Sequence, residues 1–302
     1  MIHDFHAIGI VEMESEEFFG LTIQRSLVNL LFNPWKAISY HLLTSDRMRF
    51  FADRIEQDRN WWFRIPGNDS LPLMYQFLTD EEFTIFTEWF EETESKELIG
   101  ECSVVPVTAI GGFVAASNID SIVQCGHYSG YSTLLLGFLL RRLAKPRSLF
   151  SIDIDPEITR FAQGWVNRAG LSKHVKLVCG DSSDPAFVEE STEYFGKRPG
   201  LVFIDSSHQY EHTLKELDLW FEAIVPGGLI FLHDVSDFAS QFDATGKGGV
   251  CRALSEWRTQ HECIMINPVA PDSPRETTAY QDGCGLGIVH KLFGSADRKS
   301  NQ

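Results

Sequence analysis

Two glycines and one carboxylate are the first residues in this chain whose spacing suggests chemistry. Gly126 and Gly130 stand in Cys125-Gly126-His127-Tyr128-Ser129-Gly130, after a short apolar run, and Asp153 follows twenty-three residues beyond Gly130 in Ser151-Ile152-Asp153-Ile154-Asp155. In an open α/β sheet a glycine-bearing first turn lets backbone approach a nucleotide-like ligand, and an acidic residue about 20 positions on accepts ribose hydroxyls. The spacing Gly126-x-x-x-Gly130 spells neither GxGxxG nor GxxxxGK[ST], so no pyrophosphate cradle is written into it. A ligand with adenosine but no pyrophosphate, such as S-adenosylmethionine, suits the pattern better than NAD or ATP. Glycine also serves strand-to-helix turns for backbone reasons alone, and on this segment that plainer reading stays open.

The elements that must position these residues begin near position 119, where strand and helix patterns alternate. Strands are expected over Ile119–Cys125, Ser148–Ile154, Val175–Cys179, Leu201–Asp205, Leu229–His233, Cys263–Asn267 and Gly285–His290. Helices are expected over Tyr131–Leu143, Pro156–Ala169, Pro185–Phe195 and Gln209–Ile224. Such alternation predicts a doubly wound, Rossmann-like sheet with helices on both faces. Pro268–Asp282 has no helical pattern, so the last two strands are expected to close the sheet as an antiparallel hairpin. Ser236–Gly249, with Gly246-Lys247-Gly248-Gly249, reads as a mobile loop.

Residues 1–100 differ in character, and the chain is expected to divide into a helical cap or dimerisation region, 1–100, and a ligand-binding domain, 101–302. Helix-like segments fall at Ser15–Phe32, Trp35–Gln57 and Thr79–Ser95; Thr79-Asp80-Glu81-Glu82 supplies a capping residue and first-turn negative charge. The aromatic stretch Trp61-Trp62-Phe63 reads as packing or a dimer face before it reads as an acceptor pocket. The 302 residues carry a net charge of −16, and residues 1–100 hold 8 basic against 18 acidic side chains, a balance that argues against nucleic acid as a partner. Six cysteines form no CxxC pair and read as small buried residues in a reducing, cytoplasmic setting; no apolar run reaches the ~20 residues of a membrane helix.

Four segments in order give a resemblance to a known family: Gln124-Cys125-Gly126-His127-Tyr128-Ser129-Gly130-Tyr131-Ser132-Thr133, Ser151-Ile152-Asp153-Ile154-Asp155-Pro156, Val178-Cys179-Gly180-Asp181-Ser182, and Phe203-Ile204-Asp205-Ser206-Ser207-His208-Gln209-Tyr210 followed by Pro226 to Val235. Residues 105–292 resemble class I S-adenosylmethionine-dependent methyltransferases. Among these they look most like the small-molecule O-methyltransferases of the catechol type and the antibiotic-tailoring (macrocin and cephalosporin-hydroxylase-like) group.

The resemblance implies a seven-stranded methyltransferase sheet and a set of roles. Asp153 clamps the ribose, Asp181 and Ser182 border the adenine, and Gln124, Gly126, Tyr128, Ser132 and Asp205 complete the cofactor site. His208 stands at the position of the catechol type's general base. Asp205, His233 and Asp234 stand at its metal ligands, with Asp205 and His233 also candidate catalytic residues. Two departures go with this: Gln124 replaces the usual acidic residue before the turn, and His233 replaces an aspartate, which favours Mn, Zn or Fe over Mg. The implied function is methyl transfer to a hydroxyl of a small, natural-product or phenolic acceptor; the acidic surface and aromatic-rich first region suit a homodimer, and no nucleic-acid or membrane partner is expected. The rivals are an N- or C-methyltransferase, a lyase, cyclase or hydroxylase-like enzyme on the same fold, and an assembly protein. His127 and His212 read as packing or surface residues.

Overall fold

A computed structural model describes residues 47, 50, 71–266 and 282–293. The expected helices Ser15–Phe32 and Trp35–Gln57 and the loop from Trp61 to Ser70 lie outside these residues, Arg47 and Phe50 apart. Helix α1 is Leu73–Gln76, α2 Asp80–Ser95 and α3 Val104–Ala116. Then β1 (Ile122–Cys125), α4 (Tyr131–Arg142), β2 (Leu149–Asp153), α5 (Pro156–Arg168), β3 (Val175–Cys179), α6 (Ala186–Phe195), β4 (Leu201–Ile204), α7 (Tyr210–Ala223) and β5 (Leu229–His233) alternate. Helix α8 (Gly249–Trp257) and strands β6 (Cys263–Ile266) and β7 (Leu286–His290) follow.

The seven strands lie in the order β3-β2-β1-β4-β5-β7-β6, with β7 antiparallel to both its neighbours and the other pairs parallel. The expected closing hairpin therefore forms, and its second strand is the one inserted beside β5. Every residue of β1 and β4 is buried, as a central parallel strand covered on both faces requires. Because β1 to β5 run parallel, their carboxyl ends meet along one rim, where such sheets bind ligands. Asp153, Asp205, His233 and Asp234 all stand on that rim.

Helix α2 starts as its sequence dictates. Thr79 Oγ1 accepts from Glu82 N at 3.1 Å and Glu82 Oε2 accepts from Thr79 N at 2.7 Å, a reciprocal capping box. Phe86, Trp89, Phe90 and Thr93 form its buried stripe at helical spacing. Trp89 stacks on Phe86, lies 5.8 Å from Tyr131 between ring centroids, and donates Nε1–H to Ser129 O at 2.8 Å. The helix thus braces the first turn of the sheet from behind. Glu82, 4% exposed at its side chain, also meets Arg141 at 2.7 Å and Arg142 at 2.6 Å.

Three features depart from expectation. Helix α3 is apolar almost all round, so the absence of a polar face hid it. The loop after β5 is tied down by Asp243, whose carboxylate accepts from the backbone N–H groups of Thr245, Lys247 and Gly249. Cys102, Cys125 and Cys251 are buried as expected and none of the six cysteines is bridged, but Cys179 is exposed, at the end of edge strand β3. Among the described residues no helix is long and apolar enough to cross a membrane.

Candidate active site

A cavity of 440 Å³ opens on the rim, walled by the Gly126–Ser129 turn, the ends of β2 and β3 at Asp153 and Asp181, and the Asp205–His208 segment. Gly126 is at φ +86°, and a Cβ there would sit 2.0 Å from Asp205 O, so only glycine lets the β1 turn pass so close to the end of β4. Asp153 faces this turn: its Oδ2 accepts from His127 N at 3.1 Å and Tyr128 N at 2.8 Å, and its Oδ1 accepts from Asp155 N at 3.1 Å. The carboxylate thereby holds the loop whose shape admits the ligand.

Tyr128 and Ser132 line the cavity, whereas Gln124 does not. Gln124 is fully buried behind the turn, donating to Gly126 O at 3.1 Å and Ser132 Oγ at 2.7 Å and accepting from Thr133 Oγ1 at 2.9 Å. It shapes the turn, and its amide is spent inside the protein rather than on a ligand. His127 is a packing residue as expected. Its ring sits 3.1 Å from both Ser151 Oγ and Thr159 Oγ1, and burial, against the pull of Asp153, lowers its pKa to about 4.

At the far side Asp205, His208, His233 and Asp234 converge, as their strand-end positions require. His208 Nε2 lies 3.0 Å from Asp234 Oδ2 and 4.0 Å from Asp205 Oδ1. His233 Nδ1 lies 3.4 Å from both Asp205 Oδ1 and Asp234 Oδ2, and its Nε2 is 3.1 Å from Asp282 Oδ2. Burial pushes the His233 pKa down, but the three carboxylates outweigh it and raise the ring well above its ordinary value. The same balance, burial against Asp234 and Asp205, raises His208. Burial would raise Asp234, yet His233 and His208 hold its carboxyl far below the usual range. His208 and Asp234 adopt left-handed backbone, at φ +58° and +59°, which costs a non-glycine residue about 1–2 kcal/mol each. Strain of this kind persists where surrounding contacts dictate it, and it gathers at functional sites.

Among the described residues, two groups of side chains could hold a cation: Asp205 with His208 and Asp234, and His233 with Asp234 and Cys284, the ligand atoms of each group lying within 4.8 Å of one another. The first fits. It offers two carboxylates and an imidazole, and two of its members, Asp205 and His208, line the cavity. In the second, both nitrogens of His233 face carboxylates, and burial, with the neighbouring aspartates, raises the Cys284 thiol above its ordinary pKa. His233, the expected metal ligand, stands with its ring nitrogens among Asp205, Asp234 and Asp282. Asp282 could not have been found from sequence, since no strand pattern or motif marks it.

Sequence reasoning also missed two walls of the cavity. Ile99, Gly100, Glu101 and Cys102 line it from one side, across the expected domain boundary at 100. His212, read as a surface residue, lines it at the Asp181 end.

The strand order with a reversed seventh strand, and a cavity over the carboxyl ends whose walls are a glycine turn and a strand-end aspartate, define the class I methyltransferase fold. Residues 123–235, from within β1 to just past β5, match the family model described as a methyltransferase domain. The chain is 33% identical over 88 residues to a catechol O-methyltransferase of Niastella koreensis, covering 28% of this chain and 37% of that protein. It is 31% identical over 107 residues to catechol O-methyltransferase B of Danio rerio, covering 35% and 38%. The chain thus spans well under half the length of these curated relatives. Its fold matches an O-methyltransferase from Bacillus cereus in complex with SAH at a TM-score of 0.54, with 14% identity over 70% of this chain and 91% of that one. It also matches the O-methyltransferase TomG from Streptomyces achromogenes at 0.51, with 14% identity over 72% and 91%.

Proposed function

We propose that this protein transfers a methyl group from S-adenosylmethionine to a hydroxyl oxygen of a small organic acceptor. The observation that carries this reading is one cavity lined by the Gly126 turn and Asp153 together with Asp205 and His208. Bound there, the donor supplies an electrophilic methyl on a sulfonium sulfur. The dimensions and donors of the cavity fit it: Asp153 accepts from ribose hydroxyls, Asp181 and Ser182 take the purine, and the Gly126 turn admits the methionine part. Relatives named catechol O-methyltransferases favour oxygen as the acceptor atom.

His208 is the base. Its Nε2–H donates to Asp234, which leaves the Nδ1 lone pair to take the hydroxyl proton, while Asp234 stabilises the imidazolium that forms. His233, held as a cation beneath Asp205 and Asp234, offsets their negative charge next to the reacting oxygen. A divalent cation held by Asp205, His208 and Asp234 would lower the acceptor's pKa and fix its orientation. That role competes with His208 as base, and the two are separable by chelation. The acceptor need only reach in-line geometry with the methyl for positioning to contribute most of the rate.

The test is transfer of isotope from the donor methyl into product, screened over phenolic and other small hydroxylated acceptors. His208→Ala should lower turnover 10²–10⁴-fold while leaving S-adenosylhomocysteine affinity within about threefold of wild type. Donor binding with no methyl transferred to any hydroxyl acceptor, or His208→Ala turning over normally, would remove this reading.

A further inference from the structure

Glu216 lies in the middle of α7, fully buried, where a helix of this composition would ordinarily place it in solvent. Its carboxylate accepts from Ser182 Oγ at 2.5 Å and from Ser206 Oγ at 2.9 and 2.8 Å, so it binds the loops after β3 and β4 together. One turn earlier on the same helix, His212 Nδ1 is 3.3 Å from Glu216 Oε2, and His212 Nε2 is 2.9 Å from Asp181 Oδ1. A chain of carboxylate, imidazole and carboxylate thus runs from the protein interior to the rim of the cavity. Asp181 Oδ1 also accepts from Ser183 N at 2.9 Å and Ser183 Oγ at 2.7 Å. All three bonds end on one oxygen, which fixes the plane of the carboxylate and leaves Oδ2 outside them.

We propose that His212, clamped between Asp181 and Glu216, is a positioning residue for the purine end of the donor, holding Asp181 so that its carboxylate accepts the purine 6-amino group. The inference rests on the donor reading above and adds to it the residue that sets purine selectivity. The chemistry is directional: a carboxylate accepts from an amino group and repels the 6-oxo oxygen of hypoxanthine, and a site built to take an N–H leaves its acceptor unpaired against the oxo analogue. An Asp181 free to rotate would discriminate less, because either ligand could then turn it away. Protonation of His212 suits the role. Glu216, 3.3 Å from Nδ1, raises its pKa, burial opposes, and Asp181 adds to the rise, which takes the ring to about 9.

The test compares S-adenosylhomocysteine with S-inosylhomocysteine by calorimetric titration of the wild type, His212→Ala and Asp153→Ala. The wild type should prefer the amino ligand at least tenfold. His212→Ala should lose about tenfold or more toward the amino ligand and leave the oxo ligand within threefold, so that selectivity collapses; Asp153→Ala should weaken both ligands alike. Should His212→Ala not fold, His212→Phe fills the same space without a donor and is held to the same prediction. Wild-type affinity and selectivity retained by the variant would overturn this inference alone. A wild type that binds neither ligand would overturn the donor reading and this inference with it.

Discussion

Replacing Asp153 by Asn tests the central assignment with the least disturbance of shape. The native carboxylate accepts three backbone N–H groups, two on Oδ2 and one on Oδ1. An asparagine retains one acceptor oxygen, so it can satisfy the His127 and Tyr128 pair or the Asp155 amide, not both. A hydrogen bond to a charged acceptor contributes about 1.5–3 kcal/mol, and keeping the turn pair at the expense of Asp155 should lower stability by about 1–3 kcal/mol. The ribose loses its charged acceptor as well, and about 1.5–3 kcal/mol there corresponds to roughly 10- to 150-fold weaker binding. The assay is titration of wild type and Asp153→Asn with S-adenosylhomocysteine and with its 2′,3′-dideoxy analogue, alongside urea denaturation. The analogue should bind both proteins within about threefold. Equal affinity of both proteins for the natural ligand would refute the ribose assignment. An equal loss with both ligands would place the effect in the turn and refute it too.

Three other outcomes follow from the geometry. Glu82→Gln removes the charge facing Arg141 and Arg142; a buried pair would cost more, but both arginines are 35% exposed at their side chains, so about 2 kcal/mol is expected in urea denaturation, and a change under about 0.3 kcal/mol would show the cluster to be inert. Gly126→Ala places a methyl 2.0 Å from Asp205 O on left-handed backbone, and should cost more than about 4 kcal/mol by thermal unfolding; a variant as stable as wild type would contradict the close approach of β1 and β4. His212, raised in the folded state to about 9 by Glu216, contributes stability that is fully present below its unfolded pKa of about 6.5 and is lost as pH rises through about 9. The loss, on the order of 3 kcal/mol between those limits, should flatten in His212→Phe, and identical pH profiles for the two proteins would show that the ring carries no such charge.

The parallel half of the sheet was legible because each strand is a short, mainly apolar run closed by a polar residue or a glycine, and turn residues separate it from the helix that follows. Asp153 and Asp205 could be found for the same reason: they terminate such runs. The Thr79 cap was readable from four consecutive residues. What the sequence concealed depends on pairing across distance. Glu216 looks like an ordinary helix-surface glutamate until Ser182 and Ser206 close over it, and Asp282 gains meaning only when β7 is inserted next to β5 and brings it to His233. Helix α8 left a signal that was available, with Val250, Cys251, Leu254 and Trp257 at helical spacing, but glycines at its start masked the onset. Helix α3 left none of that kind.

The brace that Trp89 and Phe86 form against Tyr131 has a consequence for the order in which the chain is made. These two rings leave the ribosome before their partner, Tyr131 following Phe86 by 45 positions. At ~5–20 residues per second, that interval is roughly 2–9 s during which Phe86 and Trp89 lack the Tyr131 side of their native packing. The acidic first turn of α2, Asp80-Glu81-Glu82, lies on the same segment and keeps the nascent helix charged through that wait, until Arg141 and Arg142 arrive with α4 and neutralise Glu82 as the stripe is buried.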